Sequence, residues 1–208
     1  MTRPVIAVID YGIGNLHSAQ KSLETCGADA RLTADPELIA SADGVVLPGV
    51  GAFGACMDAL RGAGLDQPAV DAVASGRPFM GICVGMQMLF TRSEENADAA
   101  GLDVIAGTVT WIPPMDGLKI PQMQWNRLDI VHEDDPMLHG LGDDAWLYFV
   151  HSLHGVPDDP GTVAATVEYG STINAAFRLE NVFAAQFHPE KSSKPGLALL
   201  TNFVKECS

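Results

Sequence analysis

Residues 81–87 read GICVGMQ and place Cys83 between two glycines, directly after the segment RPFM (77–80). A nucleophile flanked in this way by glycines is typical of a tight turn from a strand into a helix, with the central side chain standing clear of the sheet. The next backbone N–H can help to hold an oxyanion, and the positive end of the following helix favours a thiolate. A buried structural cysteine is the alternative interpretation. The heptapeptide therefore predicts the turn and leaves the role of Cys83 open.

The N-terminal half alternates between short apolar runs and helical patterns. VIAVI (5–9) is rich in β-branched residues, as expected of a strand that is covered on both faces. Leu16, Ala19 and Leu23 recur at helical spacing, and Gly27 is a natural stop. The alternation predicts an α/β protein with a mostly parallel central sheet, whose ligands lie beyond the carboxyl ends of its strands. We expect further strands at 30–33, 44–47 and just before Cys83, and helices at 36–42, 55–63 and 66–75.

The pattern of predicted elements changes after about Gly101, where strand patterns with intervening turns replace the helices. These strands are expected to form a β-rich half that shares the same sheet, followed by an amphipathic helix that carries Leu200, Phe203 and Val204. At 208 residues and 47% apolar composition, the chain 1–208 is predicted to be a single domain. The predicted strands are 108–112, 123–131, 147–151, 163–168, 175–179 and 182–186.

The charge balance and the cysteine and histidine spacing exclude several classes of protein. Lys and Arg total 12 against 26 Asp and Glu, and a formal net charge of -14 repels nucleic acid and anionic lipid. We find no signal-peptide pattern and no run of ~18 apolar residues, so we expect a cytoplasmic protein without a membrane role. The four cysteines lie far apart, and His151 and His154 are predicted to point to opposite faces of a strand. We therefore expect no metal and no cofactor.

QFHPEKS (186–192) contains the proton carrier that a cysteine nucleophile needs. His188 follows the apolar run at 182–185, at a strand end where the ligands of such a sheet collect. Glu190 lies two residues further on, past a proline, and can hold the imidazole in one tautomer. Without Cys83, a surface turn would be the better interpretation of this segment. Together the three residues form a chemically coherent Cys–His–Glu set.

LPGVGAF (47–53) follows a predicted strand and presents Gly49 and Gly51 around Val50. Backbone N–H groups in such a loop can bind an anion or a developing oxyanion. The alternatives are a phosphate-binding loop or a plain turn, but the pattern of a phosphate-binding loop is absent. An oxyanion-binding loop and a plain turn therefore both stay open for this segment.

The segments LPGVGAF (47–53), GICVGMQ (81–87) and QFHPEKS (186–192), in this order along the chain and at these separations, resemble the class I (triad) glutamine amidotransferases. DYGIGNLHS (10–18), KIPQMQWN (119–126) and YFVHS (148–152) narrow the resemblance to the glutaminase subunits of imidazole glycerol phosphate synthase. The resemblance runs from about Val5 to the C-terminal helix. It implies a three-layer α/β fold, with helices on both faces of the central sheet and a β-rich C-terminal half.

The resemblance also implies a role for each matching residue. Cys83 would attack the side-chain carboxamide of glutamine, His188 would protonate the departing ammonia and then activate water, and Glu190 would orient His188. The oxyanion hole would consist of Gly49, Val50, Gly51 and Val84, and glutamine would be bound by Gln87, Glu95, His151 and Ser152. The Gly49–Val50 peptide is flanked by flexible positions, and we expect it to turn its N–H into the site only when a partner is ready.

The partner implied by the resemblance is a separate cyclase subunit, a (β/α)8 barrel that uses the ammonia to make imidazole glycerol phosphate and an aminoimidazole carboxamide ribotide in histidine biosynthesis. Gln124 stands where relatives usually carry glycine, which leaves the local backbone geometry open. For Trp125, a position in the core is a competing interpretation. The implied interface residues are Asn15, Lys119, Trp125, Asn126, Tyr148 and Lys191.

Two other functions stay open on sequence grounds. The first is a glutaminase subunit that feeds a different synthase, such as those of anthranilate or pyridoxal phosphate. The second is a non-catalytic interaction module on the same fold, for which we would expect a triad residue to be missing.

Overall fold

The computed structural model describes residues 3–142 and 144–208. Its helices are α1 (Leu16–Thr25), α2 (Pro36–Ser41), α3 (Phe53–Gly62), α4 (Asp66–Ala74), α5 (Val84–Gln87) and α6 (Ser193–Glu206). Its strands are β1 (Val5–Ile9), β2 (Asp29–Thr33), β3 (Gly44–Gly49), β4 (Phe79–Cys83), β5 (Phe90–Ser93), β6 (Asn96–Ala100), β7 (Ile105–Trp111), β8 (Gln122–Arg127), β9 (Asp129–Ile130), β10 (Trp146–His151), β11 (Leu153–Pro157), β12 (Val163–Glu168), β13 (Thr172–Leu179) and β14 (Val182–Ala185).

A central eight-stranded sheet has the order β2-β1-β3-β4-β14-β13-β12-β9. The pairs from β2 to β14 are parallel, and those from β14 to β9 are antiparallel. Every residue of β3, β4 and β14 is buried, which is why these strands are continuous apolar runs in the sequence. The predicted α/β class with a mostly parallel sheet is therefore confirmed.

Helices cover both faces of this sheet. Right-handed crossovers carry α1 to one face and α2, α3 and α4 to the other, because the chain moves outward from β1 to β2 and then back to β3 and β4. In agreement, α6 packs against α1, and α2 packs against α4. The predicted three-layer arrangement is confirmed. None of the helices in the two described segments has the length and apolarity needed to cross a membrane.

The prediction that the β-rich half shares one sheet is only partly right. Four of its strands extend the central sheet, whereas β8 and β10 form a two-stranded ribbon and β11-β7-β5-β6 form a separate four-stranded sheet. Phe90 in β5 packs edge-to-face on Phe177 in β13, with ring centroids 5.2 Å apart, and so joins the two larger sheets. One hydrophobic core, which includes both Ile6 and Cys207, is thus continuous across the described chain.

The single strand predicted at 123–131 is wrong, because the chain changes partner within it. β8 pairs with β10, and β9 pairs with β12. Leu128, between the two strands, is buried, and its N–H donates to the carbonyl of Ala145. An apolar residue that anchors the chain at this point ends one ladder and begins another.

Candidate active site

Cys83 lies at the turn between β4 and α5, as predicted, with a backbone φ of 55° and ψ of -115°. This strained conformation is uncommon for a residue with a side chain. The flanking glycines allow the turn because there is no room for a Cβ on either. A Cβ on Gly81 would lie 2.9 Å from Met86 Cα, and one on Gly85 would overlap the carbonyl oxygen of Leu47. The short helix therefore folds directly back over β3 and β4, and the thiol sits at the carboxyl end of the sheet.

His188 and Glu190 reach the same point from β14. The chain leaves the strand at Ala185 and makes a 3-10 turn over Pro189–Lys191, which returns the carboxylate to the ring. His188 Nδ1 lies 2.8 Å from Glu190 Oε1, and both side chains are only 2% exposed. Asn15 Nδ2 donates to the same oxygen over 3.1 Å. Asn15, for which an interface role was implied, therefore contacts the His–Glu pair.

The electrostatics of the pair favour a charged imidazolium. Burial lowers the pKa of His188, but hydrogen bonds and charge interactions with Cys83 and Glu190 outweigh it and raise the pKa to about 9. Burial likewise raises the pKa of the Glu190 carboxyl, but His188 and Asn15 bring it below its ordinary value. At neutral pH the ring therefore carries a proton and a positive charge beside the sulfur. Such a neighbour stabilises a thiolate and supplies a general acid.

A pocket of about 370 Å³ opens over Cys83 and His188. This volume suits a small metabolite. A larger groove of about 890 Å³ lies elsewhere, around Arg178, which forms ion pairs with Asp135 and Glu206. Because the smaller pocket contains the only cysteine that faces a buried His–Glu pair among the described residues, we take it as the candidate active site. Other predicted site residues that line it are Val50, Gly51, Val84, Gln87, Glu95, His151, Ser152 and Lys191.

The predicted oxyanion loop lies against the turn at Cys83. Gly49 is paired with Cys83 in the parallel ladder of β3 and β4. A Cβ on Gly49 would be 2.6 Å from the backbone nitrogen of Gly85, so the loop backbone is in close contact with the start of α5. The first N–H groups of a helix have no partner within it. The loop backbone and the N-terminus of α5 thus lie in contact beside Cys83.

Gln87 and Glu95 line the pocket, and each already forms a hydrogen bond within the protein. Glu95 Oε2 accepts the N–H of Phe53 over 2.7 Å at the start of α3. Gln87 Nε2 donates over 3.0 Å to Gln186 Oε1, and Gln186 Nε2 lies 3.9 Å from Cys83 Sγ. The sequence reasoning missed Gln186, which is fully buried. Its signal was a polar residue immediately after the apolar run at 182–185.

His151 also lines the pocket and differs from His188 in chemistry. Its Nδ1 is 2.7 Å from the carbonyl oxygen of Leu153, and its Nε2 is 2.9 Å from the Gln122 carboxamide. Burial is the main cause that lowers the pKa of His151 to about 4. The ring is therefore neutral at pH 7, and Nδ1 carries the proton because a carbonyl can only accept. Nε2 is then an acceptor, so the Gln122 carboxamide must present to it the amide nitrogen, which otherwise has no partner, in place of Oε1. Ser152, next in the chain, is half-buried.

The residues implied at a partner interface lie along the β8–β10 ribbon and beside the pocket. Trp125 is 44% exposed, so the alternative of a core aromatic is wrong. It faces Tyr148 across the ribbon, with ring centroids 6.0 Å apart. Asn126 is half-buried and donates to the carbonyl of Glu168, whereas Lys119 and Lys191 are exposed. The exposed Trp125 ring and the half-buried Tyr148 ring, which we call the aromatic surface, are available for contact.

Gln124 lies within β8, opposite Phe149. A strand position in a regular ladder has extended backbone, which any residue adopts. The chain therefore does not use a glycine conformation here. In residues 3–142 and 144–208 we also find no group of three His, Cys, Asp or Glu side chains that could hold a metal ion.

The fold and the site together define a class of protein. A family model described as glutamine amidotransferase class-I matches residues 7–207. A solved structure of PurLQS from Thermotoga maritima has the same fold, with a TM-score of 0.74 and 20% identity over 98% of this chain and 99% of that one. The chain belongs to the class I glutamine amidotransferase family.

Relatives with much higher identity narrow the assignment. A protein from Synechococcus elongatus is 51% identical over 98% of this chain and 94% of its own length. Another, from Syntrophotalea carbinolica, is 50% identical over 96% of this chain and 98% of its own. Both are named imidazole glycerol phosphate synthase subunit HisH. Within the family, the chain groups with these HisH subunits, and the narrower resemblance is confirmed.

Proposed function

We propose that this protein hydrolyses glutamine to glutamate and ammonia, and that it delivers the ammonia to a separate cyclase subunit in histidine biosynthesis. The observation that carries the hydrolytic part is the buried His188–Glu190 pair, 2.8 Å apart, beside Cys83 at its strained turn. The HisH relatives support the biosynthetic part. The same relatives favour the histidine branch over anthranilate or pyridoxal phosphate synthesis.

The first half of the reaction forms a thioester. The Cys83 thiolate attacks the carboxamide carbon of glutamine, and the oxygen becomes an oxyanion held by the N–H groups of Val50 and Val84. The His188 imidazolium gives its proton to the amide nitrogen, the C–N bond breaks, and ammonia leaves. The His188 pKa of about 9 suits this step, because the ring is charged at neutral pH.

The second half releases glutamate. Neutral His188 now takes a proton from a water molecule, whose oxygen attacks the thioester carbon. The tetrahedral intermediate collapses, the C–S bond breaks, and the thiolate and imidazolium are restored. Glu190 keeps the ring in one orientation throughout and stabilises its positive charge.

Four pocket residues are proposed to bind the part of glutamine that does not react. The negative charge of Glu95 suits the substrate's ammonium group. Gln87 and the His151–Ser152 segment line the same pocket. For the carboxylate, Gln87 offers its carboxamide and the segment offers the Ser152 hydroxyl, because both ring nitrogens of His151 already have partners. The volume of about 370 Å³ fits one amino acid.

The partner is proposed to be a (β/α)8-barrel cyclase that converts its substrate and ammonia into imidazole glycerol phosphate and an aminoimidazole carboxamide ribotide. It would dock on the aromatic surface, with Asn15, Lys119, Asn126 and Lys191 beside it, and both subunits would meet in the cytoplasm. The Tyr148 carbonyl accepts the backbone N–H of His188 over 3.0 Å. A single hydrogen bond therefore connects a residue of the aromatic surface to a residue of the triad. Docking would also turn the Gly49–Val50 N–H into the site.

The test is Cys83→Ala in the complex reconstituted with the barrel subunit. We expect glutamine-dependent synthesis to fall by at least about 10³-fold. Synthesis from added ammonium salts should persist, because the cyclase site is on the other subunit. The matched control is Cys26→Ala, a half-buried cysteine between α1 and α6, which should retain both activities. Loss of both activities in Cys83→Ala, or of neither, contradicts the proposal.

A further inference from the structure

Tyr11 contacts the oxyanion loop from below the pocket and is not part of the pocket wall. It follows β1 in the turn at 10–12 and is only 6% exposed. Its hydroxyl donates to the carbonyl oxygen of Pro48 over 2.8 Å. The Pro48 carbonyl belongs to the peptide immediately before Gly49. This hydrogen bond therefore fixes the plane of the peptide on one side of the Gly49–Val50 unit.

Cys56 contacts the loop at the Val50 carbonyl, and its thiol also lies beside the Tyr11 hydroxyl. It lies in the first turn of α3, is fully buried, and its Sγ is 3.2 Å from the carbonyl oxygen of Val50. The Val50 carbonyl belongs to the peptide immediately after the Gly49–Val50 unit. Burial raises the pKa of both the Cys56 thiol and the Tyr11 phenol, so each keeps its proton and acts as a donor.

The space between these two contacts is filled. A Cβ on Gly49 would be 2.9 Å from the Tyr11 hydroxyl on one side and 3.0 Å from the carbonyl carbon of Val84 on the other. The Tyr11 hydroxyl, the Gly49 backbone and the start of α5 are therefore in mutual contact. Their contact limits how far the Gly49–Val50 peptide can lie from Val84, the residue that supplies the second donor proposed for the oxyanion.

We propose that Tyr11 and Cys56 are positioning residues for the oxyanion loop, which hold the carbonyls on either side of the Gly49–Val50 peptide and so fix the spacing of the two oxyanion donors. This inference rests on the proposed glutaminase function. Neither side chain touches the reacting atoms in that mechanism. The two side chains stabilise the oxyanion only once it has formed. Removing either contact should therefore lower kcat and leave KM nearly unchanged.

The experiment measures two reactions of Cys83 in the full chain bound to saturating barrel subunit. Glutamine hydrolysis needs the oxyanion hole. Alkylation of Cys83 by iodoacetamide, followed by mass spectrometry, needs only the thiolate, because displacement at a saturated carbon forms no oxyanion. For Tyr11→Phe we expect kcat to fall about tenfold with KM changed less than about twofold, and the alkylation rate of Cys83 to stay the same.

Cys56 provides a graded test. Cys56→Ala removes the donor and should lower kcat several-fold, whereas Cys56→Ser keeps an O–H donor and should restore most of it. The matched control is Cys207→Ala, a buried cysteine near Gly44. It should keep the kcat of the unaltered chain.

Two results would overturn the inference. The first is an unaltered kcat in both Tyr11→Phe and Cys56→Ala while the unaltered complex is active. The second is a parallel fall of kcat and of Cys83 alkylation, which would make the two side chains general packing around the thiol. If the unaltered complex does not hydrolyse glutamine, the proposed function itself fails, and that outcome is distinct from both.

Discussion

Two parts of the pocket lining each present a buried histidine, and we call them the wall with His188 and the wall with His151. The two rings differ in protonation. His188 follows β14 and His151 ends β10, with 2% and 5% of each residue exposed. His188 faces a carboxylate and a thiol, and its pKa rises to about 9. His151 faces a carbonyl and a carboxamide, and its pKa falls to about 4. Burial lowers the pKa of both rings, but at His188 the thiol and the carboxylate outweigh it, whereas at His151 the Leu153 carbonyl does not.

This difference assigns the proton transfer in the proposed mechanism to one wall only. A general acid needs a proton to give at neutral pH, and a neutral ring without a carboxylate does not gain one easily. The wall with His151 can bind and shape the substrate, whereas the wall with His188 can carry out the chemistry. Substrate binding and proton transfer are thus divided between the two walls.

The largest effect is expected from a paired replacement of the two histidines. His188→Asn removes the proton carrier, and we expect kcat for glutamine hydrolysis to fall by about 10⁴-fold. His151→Asn keeps a polar group at the other wall, so kcat should fall less than about tenfold while KM rises. Steady-state kinetics of the two complexes provide the measurement. Equal losses of kcat would contradict the division between the walls.

The next effect concerns the carboxylate that distinguishes the walls. Glu190→Gln keeps the shape of the side chain but removes the charge that raises the His188 pKa. We expect kcat at pH 7 to fall by about 10²-fold or more, because less imidazolium is present and the ring is less well oriented. Glu206→Gln is the matched control: Glu206 forms an ion pair with Arg178 outside the pocket. It should lower stability and keep kcat, and a similar kcat loss in both would refute the assignment.

The sequence alone identified the wall with His188 far better than the wall with His151. Cys83, His188 and Glu190 lie in short segments whose local spacing already indicates chemistry. The neutrality of His151 comes mainly from burial, and the Gln122 carboxamide that meets its Nε2 lies 29 positions away and is brought near by the β8–β10 pairing. Contacts of this kind leave no pattern in one sequence.

The contrast between local patterns, which a sequence shows, and long-range contacts, which it does not, also holds for the strands and for Asn15 and Tyr11. Strands buried on both faces were predictable from apolar runs, whereas β6 is largely exposed and has no apolar pattern to detect. Asn15 meets Glu190 across 175 positions, and Tyr11 meets Pro48 across 37. These contacts exist only because parallel strands bring the loops at their carboxyl ends together.

The two histidines should also give the folded state opposite pH dependence. The pKa of His151 lies below its ordinary value of 6.5, so its contribution is present above pH 6.5 and is lost as the pH falls towards 4. The pKa of His188 lies above 6.5, so its contribution is present below pH 6.5 and is lost as the pH rises through 9. Each is worth on the order of 3 kcal/mol at most.

Urea denaturation of the histidine variants between pH 4 and 9 checks this. His151→Asn should lose less unfolding free energy than the unaltered chain between pH 6.5 and 4, and His188→Asn should lose less between pH 6.5 and 9. Identical pH profiles for both variants and the unaltered chain would exclude opposite titration of the two walls.

The smallest effect isolates the partner of the neutral ring. Gln122 is fully buried and Gln124 is exposed, yet both lie in β8, so the strand contains its own control. Gln122→Leu leaves a buried ring nitrogen of His151 unpaired, and we expect the free energy of unfolding to fall by about 1–2 kcal/mol. Gln124→Leu should change it by less than about 0.5 kcal/mol. If the two replacements cost the same, the carboxamide does not stabilise the neutral ring, and burial alone must account for the low pKa of His151.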